Sequence, residues 1–118
     1  INFGNALEAP KEGEWGVVIE DSWFDQVKEL GFNHVRIPIR WSSNTETSKP
    51  NSVSQEFITR VKHVVNKAVE QNLLVVINFH HYQFVILGQW VVSPSVTKNL
   101  IQAQALNNRL IVSRASLT

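Results

Sequence analysis

Two adjacent histidines and a tyrosine follow directly on the apolar run LLVVINF at residues 73–79. The ring nitrogens of His80 and His81 and the phenol of Tyr82 can donate and accept hydrogen bonds, so these side chains are suited to binding a polar ligand. A metal ion shared by both imidazoles is disfavoured, because adjacent residues on a strand point to opposite faces. Strand-end residues that simply face solvent are the alternative interpretation.

Further candidate residues come from two other parts of the chain. Asn5 is the last residue of the short segment INFGN and Glu8 lies three residues after it. Arg36 lies within the apolar run HVRIPI, and Arg40 follows that run directly. A structural ion pair is the alternative role for Arg36, and a solvated loop carboxylate is the alternative for Glu8. Because ligands of parallel sheets bind at the carboxyl ends of the strands, we expect all these side chains to meet at one edge.

Two tryptophans, Trp15 and Trp41, lie close to these candidates in the sequence. Trp15 falls in a glycine-containing stretch that is predicted to be a loop. An indole ring can stack on a flat apolar face of a ligand, but a large aromatic side chain more often packs in the core. We therefore predict that both rings contribute to packing.

A first helix is predicted over residues 22–30. Asp21 or Ser22 can cap its amino terminus, and Asp25 stands where the second member of a capping box belongs. Gly31 can adopt the left-handed conformation that ends a helix. The apolar side chains of the predicted helix fall on one face, namely Trp23, Val27 and Leu30.

A longer amphipathic helix is predicted over residues 55–70, with Ser54 as its amino-terminal cap. Strands are predicted on either side of it, at residues 34–39 and 73–79. Pro38 cannot donate a ladder hydrogen bond, so regular pairing of the first of these strands is expected to end there. The second lacks polar alternation, which is typical of a strand buried on both faces in a parallel sheet.

The order of these elements, strand and helix in alternation, predicts an α/β fold with right-handed crossovers. Two architectures fit the pattern: a doubly wound open sheet and a (β/α)8 barrel. The segment INFGN at residues 1–5 is the candidate for the first strand. No Gly-x-Gly-x-x-Gly motif follows it, which weighs against a dinucleotide-binding sheet.

Composition excludes several classes of function. The 118 residues suffice for one core, and a net charge of +1 gives no strong field for binding nucleic acid. No apolar run reaches the roughly 18 residues of a membrane span, and the lack of cysteine excludes disulfides and thiolate metal sites. The chain begins at Ile1 and contains no methionine, so we expect a fragment of a longer protein.

Four blocks of the sequence carry a family resemblance: GNALEAP at 4–10, EGEWGVVI at 12–19, GFNHVRIPIRW at 31–41 and INFHHY at 77–82. In this order and spacing they resemble the amino-terminal third of the family-5 glycoside hydrolases. The likeness is strongest to bacterial endoglucanases, some of which also cut mannans. It covers residues 1–82 nearly without a break.

The resemblance implies a (β/α)8 TIM barrel, of which the chain would hold the first three or four β/α units. It implies retaining hydrolysis of β-1,4-glycosidic bonds in a glucan by two glutamates, without a cofactor, by a parent enzyme that is secreted. It also implies that Arg36 supports the nucleophilic carboxylate and helps to keep it ionised. The substrate-binding residues would be Asn5, Glu8, Arg36, His80 and His81.

The sequence departs from the family after Tyr82. No aspartate or glutamate follows Glu70, so neither of the two catalytic glutamates is present and the chain is expected to be inactive alone. The abrupt change favours a divergent tail over residues 83–118 that is not family sequence. The alternative is a helix followed by a fourth strand, RLIVS. A non-catalytic carbohydrate-binding remnant and a parent enzyme acting on β-mannan are the alternative functions.

Overall fold

Three parallel strands form the sheet in the computed structural model of the protein. The structure describes residues 1–45, 53–79 and 110–114. The strands are hydrogen-bonded in the order in which they occur along the chain. They are β1 (His34–Ile39), β2 (Leu74–Phe79) and β3 (Leu110–Arg114).

The amino-terminal segment, residues 1–3, adds to the free edge of β1 through a parallel bridge between Asn2 and Arg36. The described strands are therefore neighbours in sequence order, with every pair parallel. A doubly wound sheet would reverse its order at a switch point, whereas consecutive order is that of a (β/α)8 barrel. The prediction of a parallel α/β sheet is confirmed, and the strand order favours the barrel.

One face of the sheet holds the core. Val35, Ile37 and Ile39 on β1 and Val75 and Ile77 on β2 have no exposed surface. Because side chains alternate along a strand, these five point to the same side, where they join apolar residues of both helices. Burial of each such side chain stabilises the fold by about 1.5–3 kcal/mol.

The first helix, α1, spans Ser22–Glu29 and packs mainly through Phe24 and Val27. Gly31 has a φ of +87°, so it ends the helix as predicted. The predicted capping interaction is wrong: the Asp21 side chain makes no capping hydrogen bond. Its carboxylate instead contacts the His63 imidazole at 2.8 Å, and this bond lowers the pKa of Asp21.

The predicted apolar face of α1 is also corrected in part. Leu30 lies just past the end of the helix and is 73% exposed, so it does not join the core. Trp23 is half-buried and packs edge-on against Phe3, with ring centroids 5.8 Å apart. Phe3 contacts the Phe24 ring as well, at 5.3 Å, and thereby fastens the amino-terminal segment to α1.

The second helix, α2, spans Gln55–Glu70, as predicted. Its amino terminus is capped by Ser54, whose hydroxyl accepts a hydrogen bond from the Phe57 amide at 3.2 Å. Asn72, with a φ of +58°, lies between its end and β2. The apolar stripe predicted for this helix has seven members, of which Val69 is only partly buried and packs against the core. The other six are buried, namely Phe57, Ile58, Val61, Val64, Val65 and Ala68.

Pairing of β1 does not end at Pro38. The ladder to β2 runs on through the pairs Pro38–Asn78 and Ile39–Phe79, so that prediction is wrong. The reason lies in the direction of the backbone groups. Arg36 bonds to the amino-terminal segment, and Pro38, two residues later, faces the same way. The donor that proline lacks would therefore have pointed away from β2.

The strand β3 lies where the fourth-strand alternative placed it, one residue later at its start and its end than RLIVS. It pairs with β2 from Val75–Leu110 to Phe79–Arg114. The helix that this alternative puts before the strand lies outside the described residues. Within the described ranges, no helix has the length and apolar character needed to cross a membrane.

We expect Ser54→Ala to lower the free energy of unfolding by about 1 kcal/mol, because the Phe57 amide loses its capping acceptor. The measurement is urea denaturation followed by circular dichroism. Ser43→Ala is the matched control, since Ser43 is an exposed serine in the short 3-10 turn Ser42–Asn44 and should change stability little. Equal effects of the two substitutions would contradict the capping role.

Candidate functional site

The amino-terminal segment is held in register with Arg36 by two backbone hydrogen bonds. The Arg36 amide donates to the Ile1 carbonyl and the Phe3 amide donates to the Arg36 carbonyl, each at 2.8 Å. The chain then leaves the sheet at Gly4. Asn5 and Glu8 consequently lie just beyond the carboxyl end of this segment, where the parallel-sheet argument predicted a binding site.

Asn5 and Glu8 form one tight turn. Asn5 has a φ of +63°, and its amide donates to Glu8 Oε1 at 2.6 Å. The Glu8 residue is only 9% exposed, so it is not the solvated loop carboxylate of the alternative interpretation. An Asn tolerates the left-handed conformation better than most residues, and its own side chain is left exposed. Glu8 thus shapes the turn that presents Asn5.

Arg36 lies in the middle of β1, opposite Val76, rather than at the end of the strand. Its Nη1 donates to Asn2 Oδ1 at 2.8 Å. The ion pair of the alternative interpretation is not what the described residues show, because this partner is a neutral amide. The guanidinium therefore keeps its full charge for a further partner.

Gly4 links these two pairs. A Cβ atom added there would lie 2.9 Å from Asn2 Nδ2 and 3.2 Å from Glu8 Oε1. The Asn2–Arg36 pair and the Asn5–Glu8 turn therefore approach the same point, which only a residue without a side chain leaves open. Sequence reasoning missed Asn2 and Gly4, although the sequence GNALE places a glycine directly before Asn5.

Three other predicted site residues, His80, His81 and Tyr82, lie outside the described residues. The structure thus brings together Asn5, Glu8 and Arg36. Among the described residues, no group of three or more His, Cys, Asp and Glu side chains could hold a metal ion.

Arg40 extends the same edge of the sheet. Its amide donates to the Leu7 carbonyl at 3.0 Å, directly before Glu8. Its guanidinium carbon lies 5.4 Å from the centre of the Trp15 ring, within the range of a cation–π contact.

Trp41, the residue after Arg40, is 4% exposed and packs edge-on against Phe57, with ring centroids 5.6 Å apart. Core packing is thus confirmed for Trp41.

Trp15 does not pack in the core as predicted. The residue is 43% exposed, so that prediction is wrong. The cause is its place in a loop of consecutive turns, in which the Gly16 amide bonds to the Gly13 carbonyl and the Gly13 amide to the Val17 carbonyl. The residue thus lies in a series of turns at the surface and not in a helix or strand of the core, and apolar character alone could not reveal this.

Arg60 on α2 binds both ends of the loop at residues 12–19 that contains Trp15. Arg60 donates to both carboxylate oxygens of Glu12, at 2.8 and 2.9 Å, and to the Ile19 carbonyl at 2.7 Å. Glu12 also accepts a hydrogen bond from the Ile19 amide at 3.0 Å. We call Glu12, Ile19 and Arg60 the Arg60 clasp. It joins the two ends of the loop to the helix that connects β1 and β2.

The electrostatics of the clasp favour the ionised carboxylate. Partial burial raises the pKa of Glu12, but the hydrogen bonds from Arg60 and Ile19 and the charge of Arg60 outweigh it. The pKa therefore lies below its ordinary value of 4.5. The hydrogen bond to Glu12 correspondingly raises the pKa of Arg60, against the opposing effect of its partial burial.

A shallow hollow lies at the opposite edge of the sheet, lined by Asn33, His34, Asn72 and Leu74. These residues stand at the amino ends of β1 and β2. Because ligands of parallel sheets bind at the carboxyl ends of the strands, we do not assign the site to this hollow.

Comparison with known proteins identifies the family. A family model described as Cellulase (glycosyl hydrolase family 5) matches residues 3–114. This chain belongs to glycosyl hydrolase family 5. The family match extends past Tyr82, where the resemblance read from the sequence ends. The division of the chain into residues 1–82 and a divergent tail stays a prediction.

Endoglucanases are prominent among its relatives in the family. Endoglucanase H of Acetivibrio thermocellus is 39% identical over 80 residues, which are 68% of this chain and 9% of that protein. Endoglucanase A of Paenibacillus barcinonensis is 33% identical over 108 residues, which are 86% of this chain and 27% of that protein. The chain therefore spans only a small part of these family-5 relatives.

The fold agrees with solved structures of the family. The crystal structure of endoglucanase Cel5A from the hyperthermophilic Thermotoga maritima matches with a TM-score of 0.82 and 42% identity, over 97% of this chain and 38% of that one. Structures of that protein in complex with mannotriose and with cellobiose match with TM-scores of 0.79 and 0.82. The parallel sheet of the family-5 chain is thus that of its endoglucanase neighbours.

We expect Glu12→Gln to lower the free energy of unfolding by about 1–2 kcal/mol at pH 7, because the charge-assisted bonds of the clasp are weakened. The pKa of Glu12 is lowered in the folded state. Its contribution is therefore full above its unfolded value of about 4.5 and is lost as the pH falls through the folded value. Urea denaturation between pH 2 and pH 7 should show the two proteins converging in acid.

Glu14→Gln is the control for this measurement, because Glu14 is an exposed carboxylate in the same loop. It should leave the pH dependence of stability nearly unchanged. A difference between Glu12→Gln and the parent protein that stays constant down to pH 2 would contradict the linkage.

Proposed function

We propose that the chain is the amino-terminal part of a retaining endo-β-1,4-glucanase and holds one side of its substrate cleft. Membership of glycosyl hydrolase family 5 and the names of its endoglucanase relatives support this assignment. The observation that carries it is the meeting of the Asn5–Glu8 turn and the Asn2–Arg36 pair at Gly4.

The arrangement is suited to binding a sugar. The exposed Asn5 amide can both donate to and accept from hydroxyls, and the Glu8 carboxylate can accept. The positive charge of Arg36 lies one short turn away, beside the amide of Asn2. A carboxylate brought next to Arg36 would be kept ionised, as the nucleophile of a retaining glycosidase must be. His80 and His81 complete the proposed set of substrate-binding residues.

Cleavage requires two carboxyl groups about 5 Å apart, one as acid and one as nucleophile. In the family resemblance one of them follows the fourth strand and the other ends the seventh. The four residues after β3 are Ala-Ser-Leu-Thr, and the chain has no acidic residue after Glu70. No residue after Glu70 can therefore serve as either glutamate, and we propose that this part of the enzyme binds the substrate without hydrolysing it by itself.

Non-catalytic carbohydrate binding is the second candidate function. The pairs around Gly4 favour it, because residues between Asn2 and Arg36 are sufficient to form them. The ligand would be a β-1,4-linked glucan rather than a mannan, since the relatives are named for glucan cleavage. Half a cleft contacts fewer sugar units than a complete one, so the affinity is expected to be low.

We expect no release of reducing sugar from soluble carboxymethylcellulose by the chain, because the sequence after Glu70 offers no carboxylate to act as the acid or the nucleophile. The assay compares the purified chain with an active family-5 endoglucanase at equal concentration. Release that rises with the concentration of the chain, and that Glu8→Gln removes, would contradict the proposal and assign catalysis to Glu8.

We expect Arg36→Ala to weaken the binding of cellotetraose about tenfold, the loss of roughly one charged hydrogen bond. Binding is measured by isothermal titration calorimetry on the whole chain, with circular dichroism to check folding. Lys28→Ala, which removes an exposed cation on α1, should leave the affinity unchanged. Absence of heat with the parent chain would exclude the binding function and leave the inactive fragment.

A further inference from the structure

Trp15 is a large aromatic side chain to which the proposed function gives no role. It is 43% exposed, whereas Trp41 and Phe24 are almost completely buried. Exposing an indole ring to water forfeits the hydrophobic free energy that its burial would supply. Large aromatic rings kept at a surface are typical of binding sites, because one ring offers a wide apolar face at a low cost in conformational entropy.

The position of Trp15 joins it to the candidate site. Its ring lies 5.4 Å from the guanidinium carbon of Arg40, which directly follows the carboxyl end of β1. The Arg40 amide in turn bonds to the Leu7 carbonyl, one residue before Glu8. Trp15 therefore stands at the carboxyl edge of the sheet, on the same side as the Asn5–Glu8 turn.

The backbone that carries the ring is also held in place. Three backbone hydrogen bonds of 2.9–3.1 Å surround it, from Gly13 to Val17, from Gly16 to Gly13 and from Glu14 to Lys11. The Arg60 clasp fixes both ends of the loop to α2. A side chain that is already positioned loses little freedom when a ligand binds, so contact with it contributes more to affinity.

We propose that Trp15 is a further sugar-binding residue, which stacks its indole ring on a pyranose unit of the β-1,4-glucan. The hydroxyl groups of a β-glucose ring are equatorial, so its two faces are covered with C–H groups. These suit the electron-rich face of an indole. The inference rests on the proposed function, and it extends the cleft outward from Asn5 and Glu8.

The contact between Arg40 and the Trp15 ring supports the proposed stacking role of Trp15. A cation over the indole fixes its orientation through the cation–π contact. The Arg40 Nε atom is buried and has no hydrogen-bond partner among the described residues. The guanidinium lies over one face of the Trp15 ring, so a sugar would stack on the other face. Its terminal nitrogen atoms are donors of the kind that the hydroxyls of a sugar at the edge of the ring can accept from.

The test is a titration of the whole ¹⁵N-labelled chain with cellobiose, cellotetraose and cellohexaose, followed by the indole N–H resonances in NMR spectra. The resonance that disappears in Trp15→Phe identifies Trp15. We expect it to shift in a saturable way, and we expect Trp15→Ala to weaken binding of cellohexaose about five- to tenfold. Trp15→Phe, which keeps an aromatic ring, should retain most of the affinity.

Phe32→Ala is the matched control, since Phe32 is 41% exposed and precedes β1 at the opposite edge of the sheet. It should not change the affinity. If Trp15→Ala binds as tightly as the parent chain while Arg36→Ala binds more weakly, the role of Trp15 is overturned and the proposed function stands. Equal weakening by Phe32→Ala also overturns it, and a parent chain that binds none of the three sugars overturns both.

Discussion

The bond between the amino-terminal segment and β1 is the interaction on which the site depends. Two backbone hydrogen bonds, from Arg36 to Ile1 and from Phe3 to Arg36, fix the register of a segment of only three residues. Phe3 then anchors that segment in the aromatic cluster of α1. A shift by one residue would turn every side chain to the other face and separate Asn5 and Glu8 from Arg36.

Local patterns predicted the elements well, because their causes are local. The helix α2 was predicted with its bounds, since an amphipathic repeat and a serine cap act within a few residues. The wrong predictions concern side chains whose position depends on residues far away in the sequence or on the course of a loop. Asp21 was predicted to cap α1, but it contacts His63, 42 residues further along the chain. Trp15 is predicted to be buried, but it lies in a loop of consecutive turns and is 43% exposed.

The candidate site likewise contains residues that the sequence could indicate and partners that it could not. Asn5, Glu8 and Arg36 could be named from the sequence, and the structure places them around one glycine. The partners that organise them could not be named, because Asn2 reaches Arg36 across 34 residues and Arg60 reaches Glu12 across 48. The Arg60 clasp also means that the helix between two strands of the sheet stabilises a loop at its binding edge. Stability of the core and shape of the proposed cleft are therefore coupled.

Pro38 has a consequence for where the cleft begins. In a parallel ladder the next hydrogen bond after Phe3 to Arg36 would run from residue 38 to the Phe3 carbonyl, and proline has no N–H to donate. The hydrogen-bond ladder between the amino-terminal segment and β1 therefore ends after Arg36, because Pro38 has no N–H to continue it. The chain leaves the sheet at Gly4. The missing N–H of Pro38 on the neighbouring strand therefore sets the residue at which the proposed cleft begins.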